Sequence, residues 1–442
     1  MTLFDGRRLT PAVFAIDPRM AHGRYTDRYF INARNILARL ADEGYRFAGE
    51  SPAVEAAGLD TSGVDVGNLA VEMQCFTKRE PLSIACGTDH AIAILKTCAG
   101  YADASGEFHN TSADLEVEAV PDGARLAPWA PALKIRGRYR DFAMLETPLL
   151  GVLARPTRVA TNTYEALTAS GGKPVFFFPA RFDLPVTQPA DGYAYKVGVD
   201  AYNHAGGADV PAMITTEAQG QWWGGRGGGT VSHSYVIAFL HDAAEAMLHF
   251  ARLMPPQVKR VALVDTRGDC VTDTVRVALA LFRRWWDLSR AGRAEEAERY
   301  VLFGVRADTA EDVRDASVEP TGDPARDCGV VPRLVQNLRS ALDDLHESPD
   351  VPDEAREAAR DYFRAVRIVA SGGFEPQRIA RFERDGAAVD VYGVGSYFLR
   401  GPTNDFTADV VRVRIDGRWV DLAKTGRRPV ANPDLEAVKM GG

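Results

Sequence analysis

The chain reads as an α/β protein. An antiparallel sheet packed against helices comes first, and strands alternating with helices follow, implying a parallel sheet, open or closed. Three observations predict this. Up to about residue 145, short strand-like stretches are separated by turn signals and few long helices. Beyond that point, apolar strand candidates alternate with amphipathic helical stretches, the rhythm of a parallel sheet with crossover helices. Near the C-terminus, VVRVRIDGRWVDLAK reads as a hairpin turning at Asp416-Gly417, able to rejoin the N-terminal sheet.

The elements follow in order. Residues 24–44 carry helical spacing through Tyr25, Tyr29, Ile36, Leu37 and Leu40, with Thr26 or Asp27 as N-cap and Gly44 as stop. NLAVEMQCF, PLSIACG, ADLEVEAV and ALKIRG read as strands, and GTDHAIAIL as a helix start containing His90. In the second section the strand candidates are PVFFFPA, PAMITTEA, RVALVDT, YVLFGVRAD, VRIVASGG and VDVYGVGS. SYVIAFLHDAAEAMLHFARLM and TDTVRVALALFRRWWDLSRAG are helical patterns between them. The stretches 318–324 and 348–354 read as solvated loops.

Composition bounds the function. At 442 residues, 46% hydrophobic and 25% charged, the chain suits two or three soluble domains. Its five cysteines are scattered with no CxxC pair, as expected of free thiols in a reducing cytoplasm. The first residues lack the apolar run of a signal peptide, and no stretch is apolar enough to span a membrane, so a cytoplasmic location is expected. A net charge of −8 argues against nucleic acid as a partner. It leaves room for phosphate ligands, which need only a local cluster of donors.

Polar residues gather at the C-terminal ends of the strand candidates: Arg181 and Asp183, then Thr215, Thr216 and Glu217, then Asp265 and Thr266, then Arg306 and Asp308. The last two strands run into Ser371-Gly372-Gly373 and Gly393-Val394-Gly395-Ser396. Glycine lets backbone N–H groups approach a phosphate closely. If these strands form one barrel, the mouth holds two arginines, several carboxylates and two phosphate-binding turns. That suits an anionic sugar phosphate with a metal ion, Asp265 and Asp308 holding Mg²⁺ directly or through waters. The segment GGRGGGTVSHSYVIAF sets Thr230, Ser232 and His233 between a glycine run and a helix. His241 and His249 have the eight-residue spacing of packing or surface residues, not of a metal pair.

These segments, in this order, resemble the nicotinate phosphoribosyltransferase family. Gly229-Thr230-Val231-Ser232-His233 followed by Ser234-Tyr235-Val236 is similar to the family's segment around a histidine phosphorylated by ATP. Thr26-Asp27-Arg28-Tyr29 resembles its T-D-x-Y, and Leu145-Glu146-Thr147-Pro148-Leu149-Leu150 its L-E-T-x-L-L. Val264-Asp265-Thr266, Gly304-Val305-Arg306-Ala307-Asp308-Thr309, Ser371-Gly372-Gly373 and Tyr392-Gly393-Val394-Gly395-Ser396 complete the series. Two departures stand out. Ala180-Arg181 replaces a pair of arginines, and Thr309-Ala310-Glu311 replaces S-G-D. The loop 221–229, with its two tryptophans, has no counterpart in the family pattern.

The resemblance implies an irregular TIM-like α/β barrel over 146–400, an N-terminal α/β sandwich domain over 1–145, and a C-terminal hairpin segment, 401–442, packed on that domain. It implies ATP-coupled conversion of nicotinate and phosphoribosyl pyrophosphate to nicotinate mononucleotide and pyrophosphate, a step of NAD salvage, in a homodimer with shared active sites. In that scheme His233 is the phosphohistidine and Tyr29 stacks the pyridine. Arg181, Arg306 and Thr230 bind substrate, with Arg306 and Thr230 holding the nicotinate carboxylate. Ser371, Gly372, Gly373, Gly393, Gly395 and Ser396 bind phosphate, and Asp265 and Asp308 attend Mg²⁺. The alternatives are a nicotinamide phosphoribosyltransferase and a non-catalytic barrel that binds a sugar phosphate. A quinolinate phosphoribosyltransferase fits less well, being shorter and lacking G-T-x-x-H.

Overall fold

Two sheets carry the fold of the computed structural model, which describes residues 8–103, 105–206, 209–229 and 231–441. Their strands, in chain order, are β1 (Ala70–Thr77), β2 (Glu116–Ala119), β3 (Pro131–Arg138), β4 (Val175–Phe177), β5 (Arg260–Leu263), β6 (Leu302–Ala307), β7 (Arg367–Ser371), β8 (Val391–Val394), β9 (Phe406–Ile415), β10 (Arg418–Asp421) and β11 (Glu436–Val438). The chain divides into two units that are not contiguous in sequence. One comprises residues up to 164, Tyr193–His204 and Arg400 onward; the other comprises Glu165–Gly192 and Ala205–Leu399.

The first unit is built on an antiparallel sheet of order β10-β9-β1-β3-β2-β11. The period of two along β1 explains it. Val71, Met73 and Cys75 enter one apolar core with Leu133 and Ile135 of β3, Ile92 and Leu95 of the helix Thr88–Cys98, and Leu145, Leu149 and Leu153. The alternate residues Glu72 and Gln74 are buried too, and each is satisfied. Arg136 Nε donates to Glu72 at 2.7 Å, and Gln74 exchanges hydrogen bonds with the backbone of Arg428 and Val430. A buried carboxylate needs such a partner.

The helix Arg28–Asp42 begins after Asp27, whose side chain makes no cap bond. Its carboxylate accepts instead from the Thr147 hydroxyl at 3.1 Å, while the Thr26 hydroxyl donates to Met144 O at 2.6 Å. Two motifs far apart in sequence are thus joined. PLSIACG contributes only the short strand Ser83–Ile84, and His90 lies in the helix Thr88–Cys98, stacked on Phe14 at 4.6 Å.

The second unit is built on a parallel sheet of order β4-β8-β7-β6-β5. These strands are buried on both faces, which is why they read as continuous apolar runs. Phe176 of β4 and Val261 of β5, from opposite edges, share one apolar cluster with Val369 and Val391, so the sheet curls in a barrel-like way.

PAMITTEA is not a strand. Only Ile214 bridges, in parallel, to Phe177 and Gly227, because the next residues are drawn into the helix Glu217–Gly220 by a capping box between Thr216 and Gln219. The stretch expected as one helix after His233 is two, His233–Ala238 and Ala243–Leu253. Leu240 and His241 take positive φ between them, and Asp242 caps the second by accepting from Ala244 and Glu245 N–H. His249 sits on that second helix, with Nε2 3.0 Å from Glu245. The loops 318–324 and 348–354 are less solvated than expected, since each buries a valine, Val318 and Val351. Among the described residues, no helix is long and apolar enough to cross a membrane.

Candidate active site

A cavity of about 410 Å³ opens in the second unit at the C-terminal ends of β4, β6, β7 and β8. Parallel sheets place ligand sites at this end. Arg181, His233, Arg306, Asp308, Ser371, Gly372, Gly373, Gly393, Gly395 and Ser396 all line it, so ten of the residues singled out from sequence meet in one place. Tyr29 does not line it. That residue lies in the first unit, 62% exposed on the helix Arg28–Asp42. Thr230 lies outside the described residues.

His233 is the first residue of its helix, where the Ser232 hydroxyl caps by accepting the Tyr235 N–H. Its Nε2 stands 2.9 Å from Asp265 Oδ2, just beyond β5. Since an ionised carboxylate only accepts, Nε2 is the donor, and in the neutral imidazole this leaves the lone pair on Nδ1. Asp265 does not itself line the cavity; it is shielded behind His233, with its side chain 6% exposed. Burial raises its carboxyl above the ordinary value, and the hydrogen bond from His233 pulls the other way. Its second oxygen, Oδ1, and the Thr266 hydroxyl are buried and find no partner among the described residues.

Arg306, at the end of β6, is held on three sides. Its guanidinium lies 5.8 Å from the Phe178 ring centroid, Nη1 is 3.7 Å from Asp308 Oδ2, and Nη2 donates to Val231 O at 3.5 Å. Burial lowers its pKa, while Asp308 and Asp265 hold it up. Its side chain is only 12% exposed, and buried Nε has no acceptor among the described residues. Such a cation is desolvated and aimed, which suits a single anionic group. Ser371, expected at a phosphate, instead donates its hydroxyl to Asp308 Oδ1 at 2.8 Å. It orients a carboxylate.

The two glycine turns differ in what they need glycine for. Gly372 and Gly373 have φ of 97° and 68°, a left-handed pair that turns the chain sharply. Gly393 and Gly395 make room for rings: a Cβ on Gly393 would stand 2.8 Å from Phe178, and one on Gly395 would stand 2.7 Å from Phe182. Among the described residues, the backbone N–H groups of Gly372, Gly373, Gly395 and Ser396 donate to no protein acceptor. Free N–H groups around a cavity form an anion cradle. Sequence reasoning missed the aromatic lining, Phe178, Phe182 and Phe374, because FFF and GGF read as strand core and turn. Arg181 rests 5.4 Å from the Phe182 ring centroid.

Asp265 and Asp308 were expected at a metal. Among the described residues, the groups of three ligand-type side chains that converge are limited to Asp103, Glu107 and His109, exposed in the first unit. Asp265 and Asp308 therefore recruit no third protein ligand. Mg²⁺ commonly takes one or two carboxylates and completes its shell with water and substrate phosphate, so the part-exposed Asp308, with the buried and unpartnered Asp265 Oδ1, fits that ion.

Residues 38–157 match the family model described as quinolinate phosphoribosyl transferase, N-terminal domain. Among curated proteins, nicotinate phosphoribosyltransferase 2 of Arabidopsis thaliana is 24% identical over 311 residues, covering 65% of this chain and 51% of that protein. The nicotinate phosphoribosyltransferase of Homo sapiens is 28% identical over 302 residues, covering 65% and 53%. The chain spans about half the length of these curated relatives. Among solved structures, the nicotinate-nucleotide pyrophosphorylase from Pyrococcus furiosus superposes with a TM-score of 0.62 at 22% identity, covering 96% of this chain and 85% of that one. Human nicotinic acid phosphoribosyltransferase gives 0.55 at 16% identity, covering 88% and 75%. At these identities the structural likeness establishes the fold.

Proposed function

We propose that this chain, related as it is to the nicotinate phosphoribosyltransferase family, is an ATP-coupled nicotinate phosphoribosyltransferase. One observation carries the reading. A histidine paired to a buried carboxylate, an aimed arginine, and four unpartnered N–H groups on two turns surround a single cavity.

In this reading the 5′-phosphate of phosphoribosyl pyrophosphate sits against Gly372, Gly373, Gly395 and Ser396. Arg306 takes the nicotinate carboxylate, with Phe178 beneath it, and Arg181 stands at the pyrophosphate. The pyridine nitrogen attacks C1 of the ribose, the bond to pyrophosphate breaks, and oxocarbenium-like charge passes through the ring. Mg²⁺ held by Asp265 and Asp308 would stabilise the negative charge of the leaving group. His233 Nδ1, its lone pair free, accepts the γ-phosphoryl of ATP as ADP leaves, and Asp265 stabilises the imidazolium that forms. The phosphohistidine adds negative charge beside the pyrophosphate site until water hydrolyses it.

The exposed Tyr29 is read as reaching the cavity of a second copy, so that two chains share their sites. Mixing Tyr29→Ala protein with His233→Ala protein then restores ATP-stimulated turnover that neither shows alone. A mixture with no gain over the separate proteins removes the shared-site reading.

Incubation of the purified protein with phosphoribosyl pyrophosphate, ATP and one base at a time tests the whole. Nicotinate mononucleotide and ADP are expected from nicotinate. Turnover of nicotinamide alone, or of quinolinate alone, would move the assignment to those bases. No nucleotide from any base would leave a sugar-phosphate-binding barrel.

A further inference from the structure

The helix Pro376–Arg384 carries a cation in the wrong place. Arg378 stands in its first turn, where the helix dipole disfavours positive charge. The side chain turns back off the helix. Nη1 donates to Gly372 O at 2.6 Å, Nη2 donates to Val330 O at 2.7 Å, and the guanidinium lies 4.5 Å from the Phe374 ring centroid. Arg378 does not line the cavity, whereas Gly372, Gly373 and Phe374 do, so it grips the turn from behind.

The grip has a direction. In a trans peptide the carbonyl and the following N–H point to opposite sides. Holding the Gly372 carbonyl at Arg378 therefore turns the Gly373 N–H away from Arg378, and that N–H has no protein acceptor among the described residues. The left-handed φ of Gly372 and Gly373 permits the orientation without selecting it. A Cβ on Gly373 would stand 3.2 Å from Arg378 Nη1, close enough that the guanidinium would have to give by a few tenths of an ångström.

We infer that Arg378 is a positioning residue that presets the Ser371–Phe374 turn as a phosphate cradle, and that it acts on sugar-phosphate affinity without touching the ligand. This rests on the phosphate reading of the cavity. Calorimetric titration with ribose 5-phosphate tests it together with steady-state kinetics on Arg378→Gln and Arg378→Lys. Loss of two hydrogen bonds from a charged donor should weaken ribose 5-phosphate binding about tenfold or more in R378Q. KM for phosphoribosyl pyrophosphate should rise in parallel, with KM for nicotinate unchanged. R378K, which can hold one carbonyl at a time, should fall between the two proteins; it carries the test if R378Q does not fold. Wild-type affinity for ribose 5-phosphate in a folded variant, or an equal rise in both KM values, overturns the inference. If the unaltered protein ignores ribose 5-phosphate, the phosphate reading falls and the inference falls with it.

Discussion

Asp265 decides what His233 can do. A lone imidazole 44% exposed at a helix start is an ordinary surface group. Pairing Nε2 with a carboxylate at 2.9 Å fixes the tautomer, orients the ring and leaves Nδ1 as the nucleophilic nitrogen. Two substitutions separate these effects. His233→Ala should abolish ADP formation and reduce turnover to its ATP-independent level while nicotinate still binds, because Arg306 is untouched. Asp265→Asn keeps the shape but removes the charge that stabilises the imidazolium and that would attend Mg²⁺, so ATP-dependent turnover should fall steeply, by about 10-fold or more. Radiolabel from γ-labelled ATP should appear on the wild-type chain, fall in D265N and vanish in H233A. Equal labelling of H233A would place the phosphoryl acceptor elsewhere.

The strand ends show which parts of the molecule are legible in sequence. β4 to β8 are readable because a parallel strand buried on both faces reads as a near-continuous apolar run. The reading failed where a local bond outcompeted the pattern. The Thr216–Gln219 capping box ended the strand begun at Ile214, and the Asp242 cap restarted a helix whose apolar spacing runs through the break unaltered. At the site, charge and glycine were legible but direction was not. No sequence signal says that Ser371 turns to Asp308, that Phe178 lies under Arg306, or that Tyr29 belongs to the other unit. Gly393 illustrates the difference. It was read as a phosphate contact, yet its missing Cβ would stand 2.8 Å from Phe178 and 2.9 Å from the Ser371 Cβ. Gly393→Ala must push one of them. Overpacking of this kind costs about 1–3 kcal/mol, to be read from urea unfolding. Because either displacement disturbs the seating of Arg306 or Asp308, turnover should fall as well. An alanine variant of unchanged stability and activity would show that the ring and the serine yield freely.

On the scale of the whole molecule, stability should depend on pH through a buried carboxylate of the first unit. The segment Tyr193–His204 belongs to the first unit although its neighbours in sequence belong to the second. One tie that holds it there is the Tyr193 hydroxyl, donating to Asp122 Oδ2 at 3.1 Å. Asp122 also accepts from the Thr88 N–H at 2.9 Å and the Thr88 hydroxyl at 2.8 Å. Even so, complete burial, with Asp89 nearby, pushes its carboxyl up to about 7 from an ordinary 3.8. The sign follows from proton counting. Between about pH 4 and 7 the folded chain keeps a proton on Asp122 that the unfolded chain releases, so stability falls as pH rises through that window and levels off above it. One extra bound proton corresponds to a slope of at most about 1.4 kcal/mol per pH unit. Asp122→Asn removes the titrating group while keeping an oxygen for Thr88 and an amide beside Tyr193. Urea unfolding of both proteins at pH 5, 6 and 7 should therefore show the stability of D122N gaining on that of the wild type with each step. Asp89 remains in both proteins, but its titration is linked to that of Asp122, so the difference reports the pair. Parallel pH profiles would mean that water reaches the carboxylate and that the buried tie does not set the acid dependence; a difference of opposite slope would mean that the ionised form is the one the fold prefers.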